Sequence, residues 1–108
     1  MSKDLSISRL CDAYGALLTD HRLELVRAYY DDDLSLAEIA ENFGITRQAA
    51  LCSIKQAEKQ LRRYESKIGY VELSDRLIGE LDLLSEQIAS DISAARSTVD
   101  RIAAELRQ

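Results

Sequence analysis

Arg47 and Gln48 stand side by side at what reads as the start of a helix, and Lys55, Lys59, Arg62 and Arg63 follow at helical spacing. Arginine and glutamine address base edges with paired hydrogen bonds, whereas basic side chains further along a helix reach phosphates. The chemistry this spacing offers is the binding of a polyanion, with nucleic acid the first candidate. Covalent chemistry finds little footing. His21 is the single histidine and falls at the start of an expected helix, where a solvated imidazole is a simpler reading than a general base. Cys11 and Cys52 form no motif with it, and their separation fits neither a metal site nor a redox pair. The run Asp31-Asp32-Asp33 lacks the spacing of a calcium loop and reads as an interhelical connection. Gly44 and Gly69 are isolated turn glycines with no phosphate-cradling loop around them. The expectation is a binding protein with no catalytic residue, metal or cofactor.

The basic strip needs a scaffold, and residues 35–54 supply one. Ser35 and Glu38 have the S-x-x-E spacing of a capping box, which starts a helix. Leu36, Ile39 and Ala40 give that helix an apolar face, and Phe43-Gly44-Ile45 breaks it with a permissive glycine. Thr46 then caps a second helix, the one that opens with Arg47 and Gln48. Helix, tight turn and polar helix end together make a helix-turn-helix. The reading set is thin, however. Ala49, Ala50, Leu51 and Cys52 have little hydrogen-bonding capacity where a groove-reading helix usually carries it, and an exposed Leu51 would suit a protein contact better.

Upstream, a first helix over about 6–17 aligns Leu10, Ala13, Tyr14 and Leu17, and Thr19 can cap a second that carries Leu23, Val26, Ala28, Tyr29 and Tyr30. The tyrosine pair reads as packing between the second and fourth helices rather than as a stacking platform for bases. The fourth helix has its own buried stripe at Ala50, Ile54, Ala57, Leu61, Tyr64 and Ile68, ending at Gly69. Beyond it, Leu77, Leu81, Leu84, Ile88, Ile92, Ala95, Val99, Ile102 and Leu106 alternate in steps of three and four, with one extra four-residue step between Ile88 and Ile92. This is a coiled-coil seam with a stutter, too long for a lone helix to leave bare. Pairing with a second copy is the expected use of the eight larger residues, all but Ala95, and folding back on the first domain is the alternative. Two domains follow: a helix-turn-helix domain over 1–69 and a helical extension over 70–108.

Composition agrees with an all-α chain: 108 residues include no proline and only 4 glycines. Net charge is −5, yet Arg47, Lys55, Lys59, Arg62, Arg63 and Lys67 face only Glu58 and Glu65 along the fourth helix. The one positive element of an acidic chain is what a localised anion-binding surface looks like. The start lacks the apolar stretch of a signal peptide, and no run approaches a membrane span, so a cytoplasmic location is expected.

Residues 17–69 resemble the YlxM family of small bacterial helix-turn-helix proteins. The likeness rests on L-L-T at 17–19, the pair Tyr29-Tyr30, the acidic loop after it, S-L-x-E-I-A at 35–40, F-x-[IV]-[ST]-R-Q-A at 43–49 and I-K-x-x-E-K-x-L at 54–61. More distantly the pattern is similar to the promoter-binding C-terminal domain of bacterial sigma factors, within the winged-helix-like superfamily of DNA binders. The resemblance implies a regulatory protein of the signal recognition particle pathway, acting through the particle's RNA or its GTPase protein. Leu51-Cys52 departs from the aromatic and polar pair expected there. The expected architecture is therefore a helix-turn-helix bundle of four helices with a long C-terminal amphipathic helix, working as a homodimer. Its partner is the particle's RNA or protein; a DNA-binding transcriptional regulator and a protein–protein adaptor are the alternatives.

Overall fold

Ser35 and Glu38 close their capping box in the computed structural model, which describes residues 3–108. Glu38 N–H donates to Ser35 Oγ at 3.1 Å, and Ser35 N–H donates to Glu38 Oε1 at 3.1 Å. The box opens α3 (Leu36–Phe43), which ends at Gly44 with φ of +66°. A side chain there would hold the backbone in a left-handed conformation that costs about 1–2 kcal/mol. Ile45 N–H bonds back to Ala40 O at 3.0 Å, and Thr46 Oγ1 then accepts from Ala49 N–H at 3.0 Å to start α4 (Arg47–Ile68). The turn is thus Gly44, Ile45 and Thr46, each with a local hydrogen-bonding reason to be there.

Before this pair lie α1 (Ser6–Tyr14), a single 3₁₀ turn (Gly15–Leu17) and α2 (Asp20–Tyr30), the last capped by Thr19 as its type suggests. The first helix is shorter than its apolar stripe indicates. Gly15 lies where an added Cβ would sit 2.9 Å from Leu23 Cδ1, so the chain tightens at a close helix approach. The core face of α1 is Ile7, Leu10, Cys11 and Tyr14, whereas Leu17 is exposed.

Two apolar clusters share one helix. Ile7, Leu10, Cys11, Tyr14, Leu18 and Val26 pack with Ala57 and Leu61, while Leu25, Ala28 and Ile39 pack with Ala50 and Ile54. The inner stripe of α4 therefore supplies both cores, its first half to α3 and its second to α1. This explains a length of 22 residues, well beyond a short reading helix.

The acidic loop is tied down. Asp31 pairs with Arg27 at 2.7 Å and accepts from Ser8 Oγ at 2.5 Å. Lys3 Nζ donates to Tyr29 O at 2.6 Å and Leu34 O at 2.8 Å, pairs with Asp33 at 3.2 Å, and sits 3.7 Å above the Tyr29 ring. Asp33 has a φ of +55°, a turn conformation that aspartate tolerates better than most residues.

The chain divides into two compact units, Met1–Val71 and Glu72–Gln108. Within the first, Tyr14 O–H donates to Glu65 Oε1 at 2.5 Å and accepts from Tyr70 N–H at 3.0 Å; Glu65 Oε1 also accepts from Val71 N–H at 3.0 Å. These contacts satisfy the first amides of α5 (Tyr70–Ser90).

The second unit corrects the expectation of one long C-terminal helix. The helix stops at Ser90, and α6 (Ile92–Leu106) begins after Asp91, whose Oδ1 accepts from Ser93 N–H at 3.1 Å and Ala94 N–H at 3.2 Å. The break falls at the stutter between Ile88 and Ile92. Thr98 Oγ1 bonds Gln87 Oε1 at 2.5 Å, Arg101 pairs with Glu80, and Arg76 approaches Glu105 at 3.7 Å. Taken in that order, the ties run up one helix and down the other, so α5 and α6 form an antiparallel hairpin. The seam is divided by it. Leu77, Leu84 and Ile102 are half-buried, whereas Leu81, Ile88, Ile92, Val99 and Leu106 are exposed. Among the described residues all regular structure is helical, with six α-helices and no strand.

Candidate nucleic-acid interface

The register of α4 decides what faces outward. With Ala50, Ile54, Ala57 and Leu61 fully buried, the opposite stripe is Gln48, Cys52, Lys55, Lys59, Arg62 and Ser66, in alternating steps of four and three. All six are exposed, and Arg47 and Arg63 are exposed on either side of them. The structure thus brings Gln48, Lys55, Lys59, Arg62 and Arg63 onto one outward surface, with Arg47 at its open end.

The charges on this surface are unequally available. Arg62 Nη2 lies 2.8 Å from Asp4 Oδ2. That carboxyl is held below the usual aspartate range, first by hydrogen bonds from Ser6 and then by Arg62. Arg47, Lys55, Lys59 and Arg63 have no ion pair among the described residues. The first turn of α4 also lacks an acid, unlike α2 with Asp20 and α3 with Glu38. Its N-terminal partial positive charge is therefore capped by the neutral Thr46 hydroxyl and has no acid within its first turn.

Leu51, expected at or near the surface, is half-buried. It lines a cavity of about 210 Å³ with Lys3, Tyr29, Tyr30, Leu36, Lys55 and Glu58. Tyr29 and Tyr30 meet edge to face with centroids 5.0 Å apart, and Tyr30 O–H donates to Glu58. Burial and that carboxylate raise the Tyr30 pKa. The pair is thus engaged in packing and hydrogen bonding. Cys52 is exposed between Gln48 and Lys55.

Arg22, on α2, is the residue that spacing alone misses. Its guanidinium reaches α4 and adds a cation beside Lys59 and Arg63. Periodicity within one helix carries no information about a neighbour on another, so no linear signal marks it. His21 is exposed and packs its edge on Phe43, and no group of three His, Cys, Asp or Glu residues gathers as metal ligands among the described residues. No described helix is long and apolar enough to cross a membrane.

Residues 1–103 match the model of the UPF0122 family, described as "Putative helix-turn-helix protein, YlxM / p13 like". A UPF0122 protein of Symbiobacterium thermophilum is 44% identical over 100 residues, covering 92% of this chain and 94% of the relative. One of Shouchella clausii is 38% identical over 104 residues, covering 94% and 95%. A third, from Clostridium botulinum, is 47% identical over 76 residues, or 70% of each chain.

Proposed function

The chain belongs to the UPF0122 family of YlxM-like helix-turn-helix proteins, and from that premise we propose that it is a regulatory nucleic-acid-binding module of the signal recognition particle pathway. The observation that carries the binding is the outer face of α4. Exposed cations that form no ion pair among the described residues are concentrated there, in a chain of net charge −5. The pathway comes from the family resemblance. The particle's RNA is the favoured partner because the α4 surface is richer in phosphate contacts than in base-reading groups. Lys55, Lys59 and Arg63 can each meet a phosphate. Leu51 is turned into packing, and Ala49 and Cys52 offer little to a base edge. Such a surface recognises the shape and charge of a folded RNA, and through that RNA acts on the particle's GTPase.

A DNA-binding regulator is the second reading, favoured by one observation: Arg47 and Gln48 are both exposed at the open end of α4. Crosslinking of the tagged protein in its own lysate, with the recovered nucleic acid and proteins identified, separates the two. Recovery of the particle's RNA or GTPase is expected. Recovery of discrete chromosomal fragments without them would replace this reading with the second.

The α5–α6 hairpin is proposed to pair two copies. Leu81 and Ile88 each follow an inward residue, Glu80 and Gln87, by one position; Val99 and Leu106 follow Thr98 and Glu105 in the same way. In an antiparallel pair that offset turns both sets to the same side of the hairpin. Leu81, Ile88, Ile92, Val99 and Leu106 then form a continuous apolar face, and two such faces make a four-helix bundle. The helices also differ in charge. On α5 Glu72, Asp75, Glu80, Asp82 and Glu86 face only Arg76, whereas on α6 Arg96 and Arg101 are balanced by Asp100 and Glu105. A two-fold axis that sets each α6 beside its neighbour's α5 buries the apolar faces and keeps the two acidic helices apart.

A further inference from the structure

Arg22, in the first turn of α2, reaches across to α4. Its Nη1 donates to Gln60 Oε1 at 2.7 Å and its Nη2 to Gln56 Oε1 at 2.5 Å. Lys59 and Arg63 stand beside those glutamines, and the five side chains line a trough of about 300 Å³. None of the three cations is ion-paired among the described residues. Acids outnumber bases by 19 to 14 in this chain, so the exclusion of carboxylates from this trough is a local feature, not a consequence of composition.

Gathered like charges repel one another, and an anion supplied from outside relieves that repulsion. The glutamine amide oxygens hold the Arg22 guanidinium in place without neutralising it. Two of its five N–H donors are used in this way, which leaves others to present to a ligand. Lys59 and Arg63 are exposed, so the trough does not enclose a small anion. They lie one turn apart, about 6 Å of helix rise, a spacing on the scale of neighbouring phosphates along a strand.

We propose that Arg22, Lys59 and Arg63 form a clamp for the sugar–phosphate backbone of a nucleic acid, with Gln56 and Gln60 as positioning residues. The clamp rests on the nucleic-acid reading above and extends it. The bound strand follows the flank of α4 toward α2, not only the first turn of α4. Backbone phosphates are the same under every base, so the clamp contributes affinity and register but not sequence preference.

The test is fluorescence anisotropy of the full chain with a labelled RNA stem-loop and a DNA duplex of matched sequence, each over a salt series. Comparing the two probes identifies which nucleic acid supplies the backbone. Arg22→Gln is expected to weaken binding about tenfold in about 0.1 M salt and to lower the log–log salt slope by about one. Arg22→Lys should recover the slope but not the full affinity, because an ammonium lacks the fork that two glutamines hold. Gln56→Ala combined with Gln60→Ala should weaken binding with the slope unchanged, since every charge remains. Wild-type affinity and slope in Arg22→Gln, with both reduced in Lys55→Gln, would overturn the clamp and leave the nucleic-acid reading standing. Failure of the unmodified chain to bind either probe would remove that reading and the clamp with it.

Discussion

Cys11 lies in the core cluster with Ile7, Tyr14, Val26 and Leu61, and burial pushes its thiol up to about 11, whereas Cys52 is exposed on the outer stripe of α4. The folded thiol titrates above its unfolded value of 9.0. Its contribution to stability is therefore complete below about pH 9 and is lost as pH rises through about 11. The thermal midpoint should fall across that window, and less steeply in Cys11→Ala; equal slopes in the two proteins would contradict the assignment. The capping residues belong to the same scale. Ser35, Glu38 and Thr46 are legible because a cap is written within four consecutive residues, and their hydrogen bonds form as their types dictate. Arg22 is not legible, because its partners lie 34 and 38 positions away on another helix.

Among the elements, α4 and the hairpin show how far a periodic pattern can be read. Of the six-residue stripe, Ala50, Ile54, Ala57 and Leu61 are fully buried, as the spacing requires, whereas Tyr64 is half-buried and Ile68 is exposed. In the C-terminal segment the same three-and-four alternation persists on both sides of Asp91, so periodicity does not distinguish one long helix from two. The local signal was the cap: an aspartate just before a new run of apolar residues, at the stutter. Periodicity also fails to say which seam residues face inward once the chain reverses. The reversal leaves Ile88 61% and Ile92 79% exposed near its tip, and these are the residues a second copy would cover first. Light scattering should give a dimer mass for the unmodified chain and a monomer mass for Leu81→Asp combined with Val99→Asp. The circular dichroism of the variant should stay helical, because both residues are already exposed in the single chain. A dimer that survives the double substitution would place the interface elsewhere.

Across the whole molecule, charge is sorted by location. The acidic connection at 31–33 and the acidic α5 account for much of the net charge of −5, while the outer face of α4 carries bases. Three carboxylates are held below their ordinary range: Asp4 by Ser6 and then Arg62, Asp31 by Ser8 and then Arg27, and Glu38 by its hydrogen bonds with Ser35. The folded chain accordingly binds fewer protons than the unfolded one in mild acid. Its stability is present above about pH 4 and declines as pH falls through the lowered values. A thermal midpoint that stays constant from neutral pH down through that range would show that these contacts contribute nothing.

The division of α4 into an inner and an outer stripe also bears on how this protein can evolve. Ala50 and Ile54 belong to one core and Ala57 and Leu61 to the other, so the inner stripe has little freedom to vary, whereas Gln48, Cys52, Lys55, Lys59 and Ser66 are exposed and belong to neither. Selection can rewrite ligand preference at those outer positions with little change in folding. A lineage could thus move from one polyanion to another by surface substitutions alone, and sequence drift along α4 should be concentrated in a single register of the helix.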